Sequence, residues 1–214
     1  MSVLQPYLFN QSLRSQIQGH LDRFAPQPEE QLNLRDAAVA IVIVNNSETN
    51  QASVLMTLRP KKLNRHAGQY ALPGGRLDEG ETIVAAARRE LHEELGLDLL
   101  EDHVMGQLDH FPTRSGFRIS PIVMWASGTV ELRPDPGEVA EVFLLPLSEL
   151  DSPDIPRLSA SENSEHPVLS AYFPTLGHYM YAPTAAILYQ FREVALRGES
   201  TRAAHYDQPT FAWK

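Results

Sequence analysis

A sharp turn followed by one amphipathic helix dominates the middle of this 214-residue chain. The breaker cluster at 72–75, Leu-Pro-Gly-Gly, requires an abrupt change of direction. From 82 to 95 apolar residues recur every four positions, which predicts a helix, and Gly96 fits a cap at its C-terminal end. Any fold of this chain has to accommodate this turn-and-helix unit.

Short strands are predicted on both sides of the unit. A run rich in valine and isoleucine at 37–44 predicts a buried strand, and a polar turn at 45–51 joins it to a second strand at 54–58 as a hairpin. Further strands are predicted at 104–111, 117–125, 141–146 and 179–182, with a loop at 134–137. Strands with interspersed helices predict a mixed sheet covered by helices, of α/β or α+β class.

The two ends of the chain are expected to pack around this sheet. Residues 9–24 predict an amphipathic helix lying on the main domain, ended by prolines. Residues 151–168 predict a long polar loop, and 184–196 a last helix with Thr184 as its N-cap. The predicted organisation is an N-terminal helical segment (1–30), one main domain (31–197) and a tail (198–214) that is unstructured or draped on the surface.

Composition excludes several classes of function. Cysteine is absent, which rules out disulfide scaffolds, zinc–thiolate sites and cysteine nucleophiles. The net charge of -9 argues against nonspecific nucleic-acid binding, which needs a basic surface. No apolar run approaches the ~18 residues of a membrane span, and no secretory signal is recognised. We expect a cytoplasmic protein with no membrane or nucleic-acid partner.

The chemistry is concentrated in three acids of the central helix. At about 100° per residue, Glu90, Glu93 and Glu94 share one helix face. Like charges at this spacing destabilise a helix by roughly 0.2–0.5 kcal/mol per pair, a cost that a bound divalent cation would offset. Carboxylates suit Mg²⁺ or Mn²⁺, which proteins often share with substrate phosphates. The alternative from these residues alone is a solvated charged face.

Flanking residues fit a metal and phosphate site. Glycine in the preceding turn lets the backbone approach a ligand closely. Arg89 lies four residues before Glu93 and can orient an acid, as metal ligands usually require. Glu81 sits near the start of the helix, where the helix dipole favours an acid.

The whole segment resembles the Nudix box, G-x5-E-x7-R-E-U-x-E-E-x-G-U, in which U is an apolar residue. Every specified position is filled, nine in the span 75–97: Gly75, Glu81, Arg89, Glu90, Leu91, Glu93, Glu94, Gly96 and Leu97. The resemblance implies the Nudix fold, an α/β/α sandwich with a mixed β-sheet and a loop–helix–loop catalytic motif. It also implies hydrolysis of a nucleoside diphosphate linked to another moiety, with Mg²⁺ or Mn²⁺ as cofactor.

The resemblance also implies roles for the box residues. Glu90 and Glu94 are expected to be the main metal ligands, and Glu93 a third ligand or a water-mediated partner. Glu81 and Arg89 are expected to hold the loop–helix geometry of the catalytic motif. The general base is either a box glutamate or an acid from a later loop, for which Glu138 and Glu141 are the candidates.

The stretch before the box bears on the substrate. Four cations, Arg59, Lys61, Lys62 and Arg65, fall within seven residues and could cradle an anion. Residues 55–75 are similar to an additional motif of the coenzyme A diphosphatase branch, roughly L-L-T-x-R-[SA]-x3-R-x3-G-x3-F-P-G-G. The matching residues are Leu55, Thr57, Arg59, Gly68, Pro73, Gly74 and Gly75, and the departures are Pro60, Asn64 and Leu72.

This second resemblance implies a small-molecule substrate, coenzyme A, with 4′-phosphopantetheine and adenosine 3′,5′-bisphosphate as products. The residues expected to bind it are Arg59, Arg65, His66, Gly68, Gly74 and Gly75. Two alternatives stay open: a Nudix hydrolase for ADP-ribose or another nucleoside diphosphate, and a non-catalytic Nudix ligand-binding module. Nudix enzymes often pair, so a homodimer is an option that no residue here specifies.

Overall fold

A mixed sheet covered by helices forms the body of the protein in the computed structural model, which describes residues 6–27, 33–62, 67–161 and 164–209. The helices are α1 (Gln11–Leu21), α2 (Ile83–Leu95), α3 (Leu147–Leu150) and α4 (Thr184–Phe191). The strands are β1 (Arg35–Asn46), β2 (Gln51–Leu58), β3 (Tyr70–Ala71), β4 (Gly74–Arg76), β5 (Val104–Gln107), β6 (Phe111–Pro112), β7 (Phe117–Trp125), β8 (Glu141–Pro146), β9 (Arg157–Ser159), β10 (Val168–Phe173) and β11 (His178–Tyr181). A 3₁₀ turn at Glu101–His103 and a π turn at Arg192–Leu196 complete these elements.

The larger sheet is built around β1. This strand runs parallel to β7 along its length and antiparallel to β2 only at 43–46. At the other end β1 and β2 separate, and two short strands fill the gap: β4 pairs with β1 at 37–39, and β3 pairs with the end of β2. The Gly-Gly segment of β4 is therefore held inside the sheet.

Two apolar layers cover the two faces of this sheet. Successive β1 side chains point to opposite faces. Ile41 and Ile43 pack in the cluster that contains α1 and α4, whereas Val42 and Val44 pack in the cluster that contains α2. The predicted helix–sheet–helix sandwich with a mixed sheet is confirmed, and the hydrophobic run of β1 is explained by burial on both faces.

Local capping signals define the ends of the first two helices. The Asn10 side chain accepts a hydrogen bond from the backbone N–H of Leu13 at the start of α1. Thr82 does the same for Ala85 in α2, and Gly96 ends α2 at a left-handed φ of 62°. The predicted cap at Thr184 is wrong: Pro183 occupies that position and Thr184 is the first helical residue.

Several strands of the structure differ from those predicted from the sequence. The predicted strand at 104–111 is two strands, β5 and β6, and the predicted loop at 151–168 contains β9. Strand β10, which the sequence did not indicate, pairs with β9 and β11 in a separate three-stranded sheet. Within the described part of the chain, no helix is both long and apolar enough to cross a bilayer.

The tail is attached to the body through buried polar contacts. In the tail, Ala203 and Asp207 are buried, and Asp207 forms a bridge with Val168. Further along this surface the buried carboxylate of Asp109 accepts hydrogen bonds from Arg202 Nη1 at 2.6 Å and from Gln190 Nε2 at 2.6 Å. Asp109 thus joins α4 and the tail to the segment between β5 and β6.

Replacement of Asp109 by alanine is expected to destabilise the protein by about 1–3 kcal/mol, because Arg202 and Gln190 lose their carboxylate acceptor and keep only the carbonyl oxygens of Ala25 and Thr201. Urea unfolding measures this change. Asp98→Ala, at an exposed surface pair with His92, is the control and should stay within about 0.5 kcal/mol of the parent. Equal effects of the two substitutions would show that the buried contact contributes nothing.

Candidate functional site

Two glycines let the backbone of β4 pass close to other groups. A Cβ on Gly74, whose φ is 155°, would lie 2.3 Å from the carbonyl oxygen of Ala38. A Cβ on Gly75 would lie 2.2 Å from Glu90 Oε1. Only glycine lets β4 sit at this distance from β1 and from α2. The turn predicted at 72–75 therefore leads into a strand that faces the acids of the helix.

The three acids of α2 differ strongly in exposure. The Glu94 side chain is only 3% exposed and points into the protein, while that of Glu90 is 13% exposed. The Glu93 side chain is 52% exposed. The shared helix face predicted for these acids thus runs from the interior at Glu94 to solvent at Glu93.

Arg89 connects most of the acids of this segment. Its Nη1 donates to Glu90 Oε1 at 2.9 Å and to Glu93 Oε2 at 3.0 Å. Its Nε and Nη2 donate to the two carboxylate oxygens of Glu81, each at 3.0 Å, and Nη2 also donates to the carbonyl oxygen of Arg76. A single guanidinium therefore ties the loop before α2 to the acidic face of α2.

The negative charge of the Glu94 carboxylate is only partly balanced by nearby positive charge. Among the described residues its ion-pair partner is Arg59, whose Nη1 lies 3.9 Å from Oε1. Its Oε2 is buried and has no hydrogen-bond partner among the described residues. Burial raises the pKa of Glu94 to about 8, against the opposing effects of Arg59 and of the Gly74 backbone N–H. The site lacks positive charge at this point.

The electrostatics of the neighbouring acids agree with this conclusion. Burial raises the pKa of Glu90, although the hydrogen bond from Arg89 acts in the opposite direction. The same guanidinium lowers the pKa of Glu81. The negative charge of Glu138 contributes to the raised pKa values of both Glu90 and Glu94, so the loop that carries Glu138 faces the site.

These donors suit a hard divalent cation by their chemistry. No three acidic or histidine side chains form a ready-made metal cage in the residues that the structure describes. The orphaned Oε2 of Glu94 and the close approach of Glu90 to the Gly75 backbone nevertheless mark a place where a cation would offset buried negative charge. Carboxylate oxygens are the ligands that Mg²⁺ and Mn²⁺ prefer.

A cleft of about 380 Å³ opens beside the Gly-Gly segment, within the size range of small-molecule sites. It is lined by residues from 37–39, 69–76, 113–119 and the start of α4, together with Arg59 and Gln208. Arg59, Gly74 and Gly75 belong both to this lining and to the surroundings of Glu90 and Glu94. The cleft therefore adjoins the acidic site through these three shared residues, although none of the acids lines it.

The residues predicted to bind substrate have different positions. Arg59 lines the cleft, and Gly68, at a left-handed φ of 66°, closes a turn by donating its N–H to the carbonyl oxygen of Arg59. Lys61 and Lys62 are exposed. Arg65 and His66 lie outside the described residues.

Sequence analysis missed most of the cleft wall, including the aromatic residues Tyr70 and Phe117 and the beginning of α4. No local signal marks these residues, because they meet only when distant strands pair.

Comparison with known proteins places this site in a family. Residues 34–166 match the family described as NUDIX domain. A protein named "Uncharacterized Nudix hydrolase NudL" from Photorhabdus laumondii subsp. laumondii is 33% identical over 173 residues, which cover 78% of this chain and 90% of that protein.

A protein of the same name from Citrobacter koseri is 36% identical over 140 residues, which cover 65% of this chain and 66% of that protein. The chain thus spans slightly less than two thirds of the Citrobacter relative. A MutT/nudix family protein from Enterococcus faecalis has a similar structure, with a TM-score of 0.52 at 18% identity over 85% of this chain and 69% of that one. That similarity concerns the fold alone.

The Glu94 carboxyl should make stability depend on pH in metal-free buffer. Its pKa is about 8 when folded and about 4.3 when unfolded, so between these values the folded state binds more protons. The free energy of unfolding then falls as pH rises. Glu94→Gln should therefore be more stable than the parent at pH 8, by about 2–4 kcal/mol, with the difference vanishing near pH 4.5.

Urea unfolding with EDTA at both pH values measures this difference. Glu101→Gln, at an exposed glutamate of the 3₁₀ turn, is the control and should be as stable as the parent at both pH values. A Glu94→Gln protein that is less stable than the parent at pH 8 would contradict an uncompensated buried charge.

Proposed function

The chain belongs to the Nudix family, whose hydrolases act on diphosphate bonds, and we propose that its substrate is coenzyme A, together with its thioester and oxidised derivatives. The products would be adenosine 3′,5′-bisphosphate and 4′-phosphopantetheine or its acyl form. The proposal depends on one observation. The buried acidic site, whose negative charge is only partly balanced, shares Arg59 and the glycines of β4 with the cleft.

The positions of residues in the motif before the box support this substrate. The carbonyl oxygen of Arg59 accepts a hydrogen bond from the Gly68 N–H, and the Arg59 N–H donates to the carbonyl oxygen of Gln69, so Arg59 is joined to 68–69 beside the site. The Thr57 hydroxyl donates to the carbonyl oxygen of Ala71 and joins β2 to the segment leading into the glycines. Arg59, Gly74 and Gly75 of this motif line the cleft, and Thr57 and Gly68 hold the segments that carry them.

Glu90 and Glu94 would hold the divalent metal, with Glu93 as a third ligand or a partner through water, and Mg²⁺ or Mn²⁺ is the ion we propose. A cation bound there supplies charge that neutralises diphosphate oxygens and lowers the pKa of a nearby water. Arg59 would bind a diphosphate oxygen with its guanidinium while remaining close to Glu94. Arg89 and Glu81 would keep Glu90 and Glu93 in place.

Glu138 is our candidate for the general base. It is exposed at the turn before β8, and its charge acts on both Glu90 and Glu94. In this proposal its carboxylate accepts a proton from the attacking water while the bond between phosphorus and the bridging oxygen breaks. The alternative candidates for the base are Glu141 and Glu93. Glu141 lies in β8, where it pairs with Leu58 of β2, and Glu93 accepts a hydrogen bond from Arg89.

A substrate panel with Mg²⁺ and with Mn²⁺ tests the substrate. We expect kcat/KM for coenzyme A to exceed that for ADP-ribose by well over tenfold, and EDTA to abolish turnover. Mass spectrometry of products formed in H₂¹⁸O identifies the bond cleaved and the phosphorus attacked. Preference for ADP-ribose would replace the proposed substrate by the alternative.

The same panel distinguishes an enzyme from a binding module. Glu94→Gln should lose about 10²-fold or more in rate while remaining folded, given typical metal and acid–base contributions. Glu101→Gln should retain the parent rate. Turnover that survives Glu94→Gln would remove Glu94 from the site, and binding without turnover in the parent would indicate a ligand-binding module.

Glu138→Gln should lower kcat by about 10²–10⁴-fold, because the variant cannot accept the proton. The pH profile of kcat should also lose its acidic limb. Glu141→Gln is the matched variant on the same loop-to-strand segment and should stay near the parent rate. A larger loss of kcat in Glu93→Gln or Glu141→Gln than in Glu138→Gln would identify that other residue as the base.

A further inference from the structure

Arg76 and Phe117 line one end of the cleft, and Arg35, which is not part of the lining, also packs on the Phe117 ring. The guanidinium of Arg35 lies 4.0 Å from the centre of the Phe117 ring, and that of Arg76 lies 5.2 Å from it. Arg76 directly follows Gly75 in β4 and therefore points to the opposite face of the sheet from the side on which Gly75 meets Glu90. It lines the cleft next to the acidic site.

The charges of these two arginines are not balanced by acids. Nearby, Arg118 pairs with Asp36 at 3.2 Å and Arg114 with Asp207 at 3.0 Å. Among the described residues no carboxylate lies within ion-pair distance of Arg35 or Arg76. Arg35 instead donates from Nη2 to the carbonyl oxygen of Ser115. In a protein of net charge -9, this end of the cleft is a local concentration of positive charge.

Polar groups at this end add donors for an anion. Thr113 and Ser115 line the cleft, and their hydroxyl groups contact each other at 3.1 Å. Two guanidinium groups near hydroxyls match the acceptors of a phosphate group, and arginine suits this task because it presents a planar set of N–H donors. The stacking on Phe117 limits the freedom of both side chains before a ligand arrives.

The other end of the cleft has a different character. A recess of about 130 Å³ continues from it, sharing Gln69, Tyr70, Pro183 and Thr184 with the main cleft. Its described lining contains aromatic rings, including Tyr70 and His178, and none of the residue types Asp, Glu, Lys or Arg. The side chain of Tyr70 is fixed by its hydroxyl, which donates to the carbonyl oxygen of Leu176.

Strand β11 and the start of α4, which form much of this recess, lie beyond residues 34–166, the span that matches the family. The acids that face the diphosphate lie within that span. The recess therefore draws partly on segments outside the matched span, as expected of a part that selects a substrate.

We infer that the substrate lies along the cleft in one orientation, with a terminal phosphomonoester held by Arg76, supported by the charge of Arg35 on the Phe117 ring, and an uncharged arm in the recess beside Tyr70 and His178. This inference rests on the proposed function: in coenzyme A these groups are the 3′-phosphate and the pantetheine arm, on either side of the diphosphate. Arg76 and Arg35 are then specificity-determining residues, distinct from the groups that face the diphosphate.

Hydrolysis of coenzyme A and of 3′-dephospho-coenzyme A measures the contribution of the 3′-phosphate. The parent should prefer coenzyme A in kcat/KM by about tenfold or more, and Arg76→Ala should reduce that ratio about tenfold, since a charge-assisted contact is lost. Arg76→Lys should retain part of the preference, because lysine keeps the charge without the planar donors. Arg23→Ala, an exposed arginine after α1, should keep the parent ratio.

Calorimetric binding of adenosine 3′,5′-bisphosphate and of AMP to the metal-free protein tests the same contact without turnover. The bisphosphate should bind more tightly than AMP, and Arg76→Ala should remove most of the difference. Arg35→Gln, at the same end of the cleft, provides a second variant if Arg76→Ala fails to fold. Equal affinity for the two nucleotides in the parent, or an unchanged difference in both variants, would overturn the inference.

A second pair of substrates tests the contact at the other end of the cleft. His178→Ala, at an exposed side chain, should raise KM for coenzyme A several-fold relative to an analogue with a methyl group in place of pantetheine. It should leave the ratio of coenzyme A to its dephospho form as in the parent. Equal effects on the arm-bearing and armless substrates would contradict the orientation.

These outcomes separate the inference from the proposed function. Failure to cleave coenzyme A in the panel above would overturn the function, and nucleotide binding would still decide whether Arg76 recognises a phosphomonoester. Cleavage of coenzyme A with no preference over its dephospho form would preserve the function and overturn the inference.

Discussion

The close approach between the glycine backbone of β4 and the acidic face of α2 is the contact on which the site depends. A Cβ at Gly75 would occupy the position of the Glu90 carboxylate. The approach requires that β1 and β2 separate at one end, which creates the gap that β3 and β4 fill. Because β4 is hydrogen-bonded to β1 in the middle of the sheet, the glycines are held rigidly in front of the acids.

The balance of charge around α2 explains how a helix tolerates so many acids. Arg89 compensates Glu81, Glu90 and Glu93 through hydrogen bonds of 2.9–3.0 Å. Glu94 is different, since it is buried with one oxygen unpaired and with Arg59 no closer than 3.9 Å. Burial of an incompletely paired carboxylate is costly. Stability therefore favours neutralising Glu94, and a bound cation is one way to do so.

In the proposed function, the residues for bond cleavage and the residues that select the substrate come from different parts of the chain. The acids of α2 and the glycines of β4 come from a continuous stretch of sequence inside the matched span 34–166. The walls at the two ends come from the loop after β6, the start of β7, strand β11 and the start of α4. Changes in these outer segments can alter which diphosphate is accepted while the acidic site stays in place.

Local patterns in the sequence were sufficient to predict the central helix, its cap at Gly96, the buried strand β1, and the strands at 117–125 and 141–146. Each of these depends on interactions between residues a few positions apart or on burial that hydrophobicity reports directly. The spacing of the box acids likewise predicted that they share one face of α2. Their assignment as metal ligands and catalytic residues stays a prediction.

Tertiary structure alone decided which of those acids is buried, because Glu94 and Glu93 are adjacent in sequence and differ only in what packs against them. It also decided the existence of β4, β9 and β10, since a strand of three to six residues is stabilised by its partner and carries little signal of its own. The pairing of Arg35 with Phe117 and the meeting of Tyr70 with His178 arise in the same way. Residues separated by tens of positions become neighbours only when the sheet assembles, so the shape of the cleft could not be obtained from local sequence.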